Sequence, residues 1–248
     1  MNRAAFYDAL RGGALFPRGF TDDQVDGTEA ILDAMQAASV TDPRYGAYIM
    51  ATAFHETART MQPVRETLAT TDDKAVAILD RAFANGQLTW VKSPYWRRDA
   101  SGKSWLGRGF VQLTHKANYQ KAKDKTGIDF VSNPNLAMVA KYAAAIIVRG
   151  MLEGWFTGKA LKDYIGAGTD YRGARRIVNG TDKADTIAGY AVVFERAFRA
   201  AGSLAAPTQP ATQPTAPPLD HVPVTAATAP TSLLGIFLAM FKAWGIGK

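Results

Sequence analysis

The sequence predicts a mainly α domain over roughly its first two hundred residues. Three observations predict it. Apolar residues recur at helical spacing, N-capping signals stand at the head of the first two stripes, and only one weak strand signal is present.

Taken in order, Thr21 and Gln24 have capping-box spacing, and Val25, Thr28, Ile31, Leu32 and Met35 follow at helical intervals. Asp42 and Pro43 read as an N-cap followed by an N1 proline, and Tyr45, Tyr48, Ile49, Thr52 and Ala53 form the next stripe. Further helices are expected over 71–84, 114–125, 135–152 and 183–201. The weak strand signal covers Leu88 to Tyr95. Pro63 must lie beyond the end of the second helix, because an interior proline costs about 3 kcal/mol.

Composition changes at Ala205. Residues 1–204 are expected to form one domain and 205–231 a linker of Ala, Pro and Thr. Such a linker is too poor in large apolar groups to offset ordering entropy, and its prolines stiffen it. Residues 232–248 carry Leu233, Leu234, Ile236, Phe237, Leu238, Met240, Phe241, Trp244 and Ile246, and are expected to form a short amphipathic helix. Its length would be about 25 Å, short of a bilayer core of about 30 Å. With Lys242, Trp244 and Lys248 near one end, a membrane-surface or shallowly inserted tail is the expectation. The alternatives are a spanning helix and a helix docked on protein.

The chain has 29 Lys and Arg against 22 Asp and Glu, a net charge of +7. Only Asp220, Lys242 and Lys248 are charged from Pro207 onward, a sum of +1, so the other +6 belongs to the globular part. A basic protein is drawn to polyanions such as nucleic acid, anionic lipid or bacterial wall polymer. No run of five or six basic residues exists, so no nucleic-acid partner is expected. The chain has no cysteine, which excludes disulfides, thiolate metal sites and a cysteine nucleophile. Met1 to Leu15 is interrupted by Asp8 and Arg11 and does not read as a signal peptide. Synthesis in the cytoplasm, with any export by another route, is expected.

The most chemically loaded stretch runs from His55-Glu56-Thr57 to Arg65-Glu66. Glu56 shares a face with Ile49, Thr52 and Ala53, a stripe that otherwise points to a core. Apolar surroundings and the negative end of the helix dipole should both raise its pKa, as proton donation to a leaving oxygen requires. Beyond Pro63 the chain can turn and set Glu66 across a groove from Glu56. A separation of roughly 6.5–9.5 Å would leave room for a water, the inverting arrangement. The bland alternative for each glutamate is a solvated surface group. A zinc motif H-E-x-x-H would need histidine where Arg59 stands, and no G-x-S-x-G occurs, so neither a metal nor a cofactor is expected.

A second constellation is Gly107-Arg108-Gly109-Phe110-Val111-Gln112-Leu113-Thr114-His115-Lys116-Ala117-Asn118-Tyr119. Strand alternation across 110–114 would send Gln112 and Thr114 to one side and Val111 and Leu113 to the other. Amide and hydroxyl groups on one wall suit a sugar. The alternative is a strand-turn-helix junction capped by Thr114.

The His55-Glu56-Thr57 step, the Gly107-to-Tyr119 block and Arg176-Ile177-Val178-Asn179-Gly180 resemble three signatures of glycoside hydrolase family 19, in the family's order. That family contains plant chitinases and many bacterial and phage lysozyme-like endolysins. The resemblance covers roughly residues 1–202. It implies a lysozyme-like, two-lobed helical fold and inverting hydrolysis of β-1,4 bonds between N-acetylated amino sugars. It makes Glu56 the general acid, Glu66 the general base and Thr114 the hydroxyl that positions the water. Gln112, Asn118 and Asn179 then bind substrate, and Tyr119 of the same block joins them. Arg65 is read as helping to keep Glu66 ionised.

Departures from the pattern bear on this reading. Plant members have disulfides and this chain has none, which points to the bacterial and phage branch. The spacing from Glu56 to the base varies in the family, and Thr67 to Leu106 has no counterpart. Trp90, Tyr95, Trp96 and Trp105 either stack on sugar or fill a core. The expected function is a monomeric endolysin cutting peptidoglycan glycan strands during host cell lysis. The alternatives are a chitinase, a wall-binding or membrane-disrupting protein, and a lytic transglycosylase using one carboxyl.

Overall fold

The computed structural model describes residues 1–202, and they are mainly helical. The helices are α1 (Arg3–Leu10), α2 (Asp22–Ala37), α3 (Pro43–Glu56), α4 (Asp72–Ala84), α5 (Lys116–Thr126), α6 (Ala140–Glu153) and α7 (Ala184–Ala201). Short 3-10 turns cover Glu66–Leu68, Pro134–Met138, Leu161–Asp163 and Gly173–Ile177. The expected linker at 205–231, the tail at 232–248 and the boundary at 204 lie outside the described residues.

The caps act as the sequence predicts. Thr21 Oγ1 accepts from the Gln24 amide while Gln24 Oε1 accepts from the Thr21 amide. Asp42 accepts from the Arg44 amide ahead of Pro43. Helix α3 is the central strut, with most of its residues buried from Gly46 to Glu56. It packs chiefly on α7, which also covers α1, and α2 lies against α6. This body holds the main core. Ala75, Leu79, Ala82, Leu88, Trp96 and Leu106 form a second, smaller core around α4. The two cores correspond to the two expected lobes.

The strand expected at Leu88 to Tyr95 is absent. That segment is a series of turns, with Leu88 and Trp96 packed into the smaller core and Pro94 unable to donate to a ladder. Among the described residues the paired strands are β1 (Val64–Arg65) and β2 (Arg108–Gly109), antiparallel, with Val64 opposite Gly109 and Arg65 opposite Arg108. Helix α5 starts at Lys116, not at 114, because His115 takes φ 65°, ψ 135° and Thr114 makes no cap. Helix α6 begins at Ala140 because Pro134–Met138 forms a 3-10 turn first.

Helix α3 stops at Glu56, well before Pro63. Thr57 Oγ1 donates to the Ala53 carbonyl and accepts from the Met61 amide, and Ala58, Arg59 and Met61 all take positive φ. That left-handed run reverses the chain and leads it into β1. Gly27 of α2 backs onto this reversal: a Cβ there would stand 1.6 Å from the Met61 carbonyl oxygen. Because the obstacle is backbone, Gly27→Ala should cost about 3 kcal/mol. Thermal denaturation should show a midpoint lower by roughly 10 °C; an unchanged midpoint would refute this packing.

Candidate active site

Glu56 ends α3 and is 1% exposed. Its Oε1 accepts from Arg175 Nη1 at 2.5 Å, an ion pair buried on both sides. Arg175 belongs to the 3-10 turn Gly173–Ile177, and its Nε donates to the Asp182 carbonyl at 3.1 Å. Removing one partner of such a pair costs about 3–5 kcal/mol, since the other charge is left buried alone. The apolar wall expected around Glu56 therefore contains a guanidinium. Glu56 Oε2 has no hydrogen-bond partner among the described residues. Beside it, burial pushes the pKa of His55 down, and His55 Nε2 is also unpartnered.

Glu66 opens the 3-10 turn after β1 and is fully buried. Its amide donates to the Gly107 carbonyl at 2.7 Å, and its Oε2 accepts from the Gly107 amide at 2.7 Å. Its Oε1 accepts from Tyr95 Oη at 2.7 Å. Burial pushes the carboxyl up to about 7, opposed by the donors Gly107 and Tyr95 and by the charge of Arg108. The expected helper, Arg65, turns away from it: Arg65 Nε donates to Asp72 at 2.7 Å and Nη2 to Asn135 at 3.1 Å. The cation that acts on Glu66 is Arg108. Arg65 is committed to Asp72 because it lies opposite Arg108 in the ladder.

The polar block does not form an alternating strand. Arg108 and Leu113 exchange backbone hydrogen bonds across a tight turn, with Gly109 at φ 88° and Gln112 at φ 54°. Gln112 folds back under the ladder, its Nε2 donating to the Val64 carbonyl at 3.1 Å and its Oε1 unpartnered. A Cβ on Gly107 would stand 2.7 Å from that Oε1, so a side chain there would force Gln112 to shift. Thr114 is buried with its hydroxyl unpartnered, and Asn118 Nδ2 donates to the Thr114 carbonyl at 2.8 Å. Asn179 accepts from the Gly180 amide and leaves Nδ2 unpartnered. Gln112, Thr114, Asn179 and Arg175 each leave a buried polar atom unpartnered, as Thr28, Tyr48 and Tyr142 of the core also do.

Tyr119 is a correction. It is 0% exposed, donates to the Leu106 carbonyl at 2.8 Å and accepts from Arg108 Nη1 at 2.8 Å. It has no face for a sugar and instead supports Arg108 from below. Trp96 and Trp105 are also core residues, with their indole N–H groups on Asp80 and Asp99. Trp90 is partly buried in an apolar patch with Ala58 and Leu68.

Two hydrogen-bonded sets result. One holds Glu66, Tyr95, Gly107 and, through Val64, Gln112; the other holds Glu56, Arg175 and, through the Arg175 carbonyl, Asn179. The chain from Thr57 to Arg65 joins them. Sequence reasoning does not single out Arg175 or the donor role of Tyr95. Arg175 lies just before the third signature, next to Arg176, and only the 3-10 turn decides that 175 is buried and 176 exposed.

The raised pKa of Glu66 has a consequence for stability. Between the ordinary 4.5 and about 7, the folded chain holds a proton that the unfolded chain has lost. Stability therefore falls as pH rises through that window, by about 3 kcal/mol in all. Glu66→Gln removes the titration, since its amide can accept from Gly107 and donate to Tyr95. Denaturant unfolding should find the variant more stable than wild type at pH 8 but not at pH 4. Parallel stability curves for the two proteins would contradict this.

Comparison with known proteins shows the family. The family model described as chitinase class I, of glycoside hydrolase family 19, matches residues 47–195, more than half of the chain. Chitinase 11 of Oryza sativa subsp. japonica is 56% identical over 36 residues, which cover 14% of this chain and 14% of the rice protein. No solved structure matches. With both buried carboxylates and all three sequence signatures inside the matched span, the chain belongs to glycoside hydrolase family 19.

Proposed function

We propose that this protein is an endolysin that hydrolyses β-1,4 glycosidic bonds of bacterial peptidoglycan by an inverting general acid/base mechanism. One observation carries the reading: two buried carboxyls on either side of one chain reversal have opposite surroundings. Glu56 is bonded through one oxygen to Arg175 and keeps Oε2 free, while both oxygens of Glu66 accept from fixed donors. In this mechanism Glu56 Oε2 delivers a proton to the glycosidic oxygen as the bond to the anomeric carbon breaks. Glu66 takes a proton from the water that attacks the opposite face of the sugar. A carboxyl poised at about 7 suits a base working near neutral pH. The unpartnered Thr114 hydroxyl is placed in the role of holding that water, and Gln112, Asn118 and Asn179 in that of binding sugar hydroxyl and acetamide groups.

Peptidoglycan is favoured over other β-1,4 polymers of amino sugars by the net charge of +7, which suits an anionic wall. The absence of cysteine also fits the bacterial and phage branch. The protein is then made in the host cytoplasm and acts in the envelope. A second reading, a chitinase, is favoured by the description of the matching family and by the rice relative.

Hydrolysis of purified sacculi and of chitin oligomers, followed by mass spectrometry of the product ends, tests the proposal. Faster cleavage of sacculi with reducing ends is expected, and Glu56→Gln should lower the rate about 10²–10⁴-fold. Activity confined to chitin would select the chitinase, and anhydro-sugar ends would exclude hydrolysis. A Glu56→Gln variant as fast as wild type would remove Glu56 from the chemistry.

A further inference from the structure

The two-residue ladder contains a conflict. Arg65 and Arg108 lie directly opposite each other, and like charges in that position destabilise a strand pair. Neither can escape to water, since their side chains are 8% and 0% exposed. One carboxylate resolves it. Asp72 Oδ1 accepts from Arg65 Nε at 2.7 Å, and Asp72 Oδ2 accepts from Arg108 Nη2 at 2.5 Å. Asp72 is the first residue of α4, where the helix dipole favours a negative charge.

This clamp stands one residue from the carboxyl of interest. Beyond the Arg65–Arg108 pair come Glu66 and Gly107, joined by their two hydrogen bonds. The same two arginines fasten the surroundings. Arg108 Nη1 donates to the carbonyls of Ser104 and Leu106 and to Tyr119 of α5, while Arg65 donates to the Thr70 carbonyl and to Asn135. The groups that face Glu66 are Tyr95 from the smaller lobe, the Gly107 amide, and Arg108 from β2 with Tyr119 behind it. The His115 ring lies tilted against Tyr95, with 4.5 Å between ring centroids, and burial lowers its pKa.

We propose that Asp72 is a positioning residue for the general base. It holds the two opposed arginines in register, so that Gly107 keeps Glu66 aimed, and it balances the positive charge that Glu66 meets. The proposal rests on the reading of Glu66 as the base. With Glu66 ionised, Arg65, Arg108, Asp72 and Glu66 sum to zero charge. Asp72→Asn leaves an excess of one positive charge beside the carboxyl, and the double variant Arg65→Gln/Asp72→Asn restores the balance.

The test is the pH profile of kcat and kcat/KM on purified peptidoglycan. Asp72→Asn should move the acid limb about one pH unit lower and reduce kcat about tenfold. The double variant should bring the limb back while kcat stays low. A limb that stays in place in Asp72→Asn, with only the melting temperature lowered, would reduce Asp72 to a structural role and overturn the proposal. Where Asp72→Asn does not fold, Arg65→Lys keeps the charge and loses the planar fork. It should lower kcat with the limb in place, and wild-type kcat in that variant would overturn the proposal. Glu66→Gln separates the two levels of the argument. If it is inactive while Asp72→Asn matches wild type, only the clamp is wrong; if Glu66→Gln is fully active, the base assignment fails and the clamp with it.

Discussion

The pair of 2.7 Å hydrogen bonds between Glu66 and Gly107 is the constraint around which the site is organised. One bond fixes the backbone of Glu66 and the other fixes its carboxyl, so the side chain has no freedom to swing out to water. Gln112 and Thr114 crowd Gly107 on its side-chain face, where a Cβ would stand 2.7 Å from Gln112 Oε1 and 3.2 Å from Thr114 Cγ2. The smaller lobe packs beside this point. Its core positions Tyr95 on the remaining oxygen. Burial raises the carboxyl further than its donors and Arg108 lower it, and the net result is a group that titrates near neutrality.

Glu56 is held in a different way. It stands at the end of the most buried helix of the main body, and α7 packs along that helix. The carboxyl meets a guanidinium delivered from more than a hundred residues downstream. One buried carboxyl is thus bonded through one oxygen to a guanidinium, and the other through both oxygens to an amide and a phenol. The reversal at Thr57 to Met61 connects them through three left-handed residues, a costly conformation that the packing of Gly27 and the Thr57 hydroxyl enforce. Strain of this kind is tolerated where geometry matters more than local stability.

Much of the fold was legible because it follows from local rules. The capping box at Thr21, the Asp42–Pro43 start and the stripes of α2 and α3 depend on neighbours a few residues apart. Glu56 stood out for the same reason, as a carboxyl on a core-facing stripe. What failed depended on distant partners. Val91 and its neighbours look like a strand until the smaller core claims Leu88 and Trp96 as turns. Tyr119 looks like a ligand-binding hydroxyl until Arg108 and Leu106 take both of its hydrogen-bonding functions. Arg65 is adjacent to Glu66 in sequence, yet a ladder partner and Asp72 draw it the other way. Sequence proximity paired Glu66 with Arg65, whereas the fold pairs it with Arg108.

The central claim is that the fold itself, before any substrate binds, sets the Glu66 carboxyl to exchange its proton near neutral pH. The direct measurement is a carbon-13 NMR titration of protein labelled at the glutamate side-chain carboxyls, with Glu66→Gln used to assign the resonance. The account predicts one carboxyl, lost in that variant, titrating at about 7. If the Glu66 resonance instead titrates together with the solvent-exposed glutamates at about 4.3, burial does not govern the site and the account is wrong.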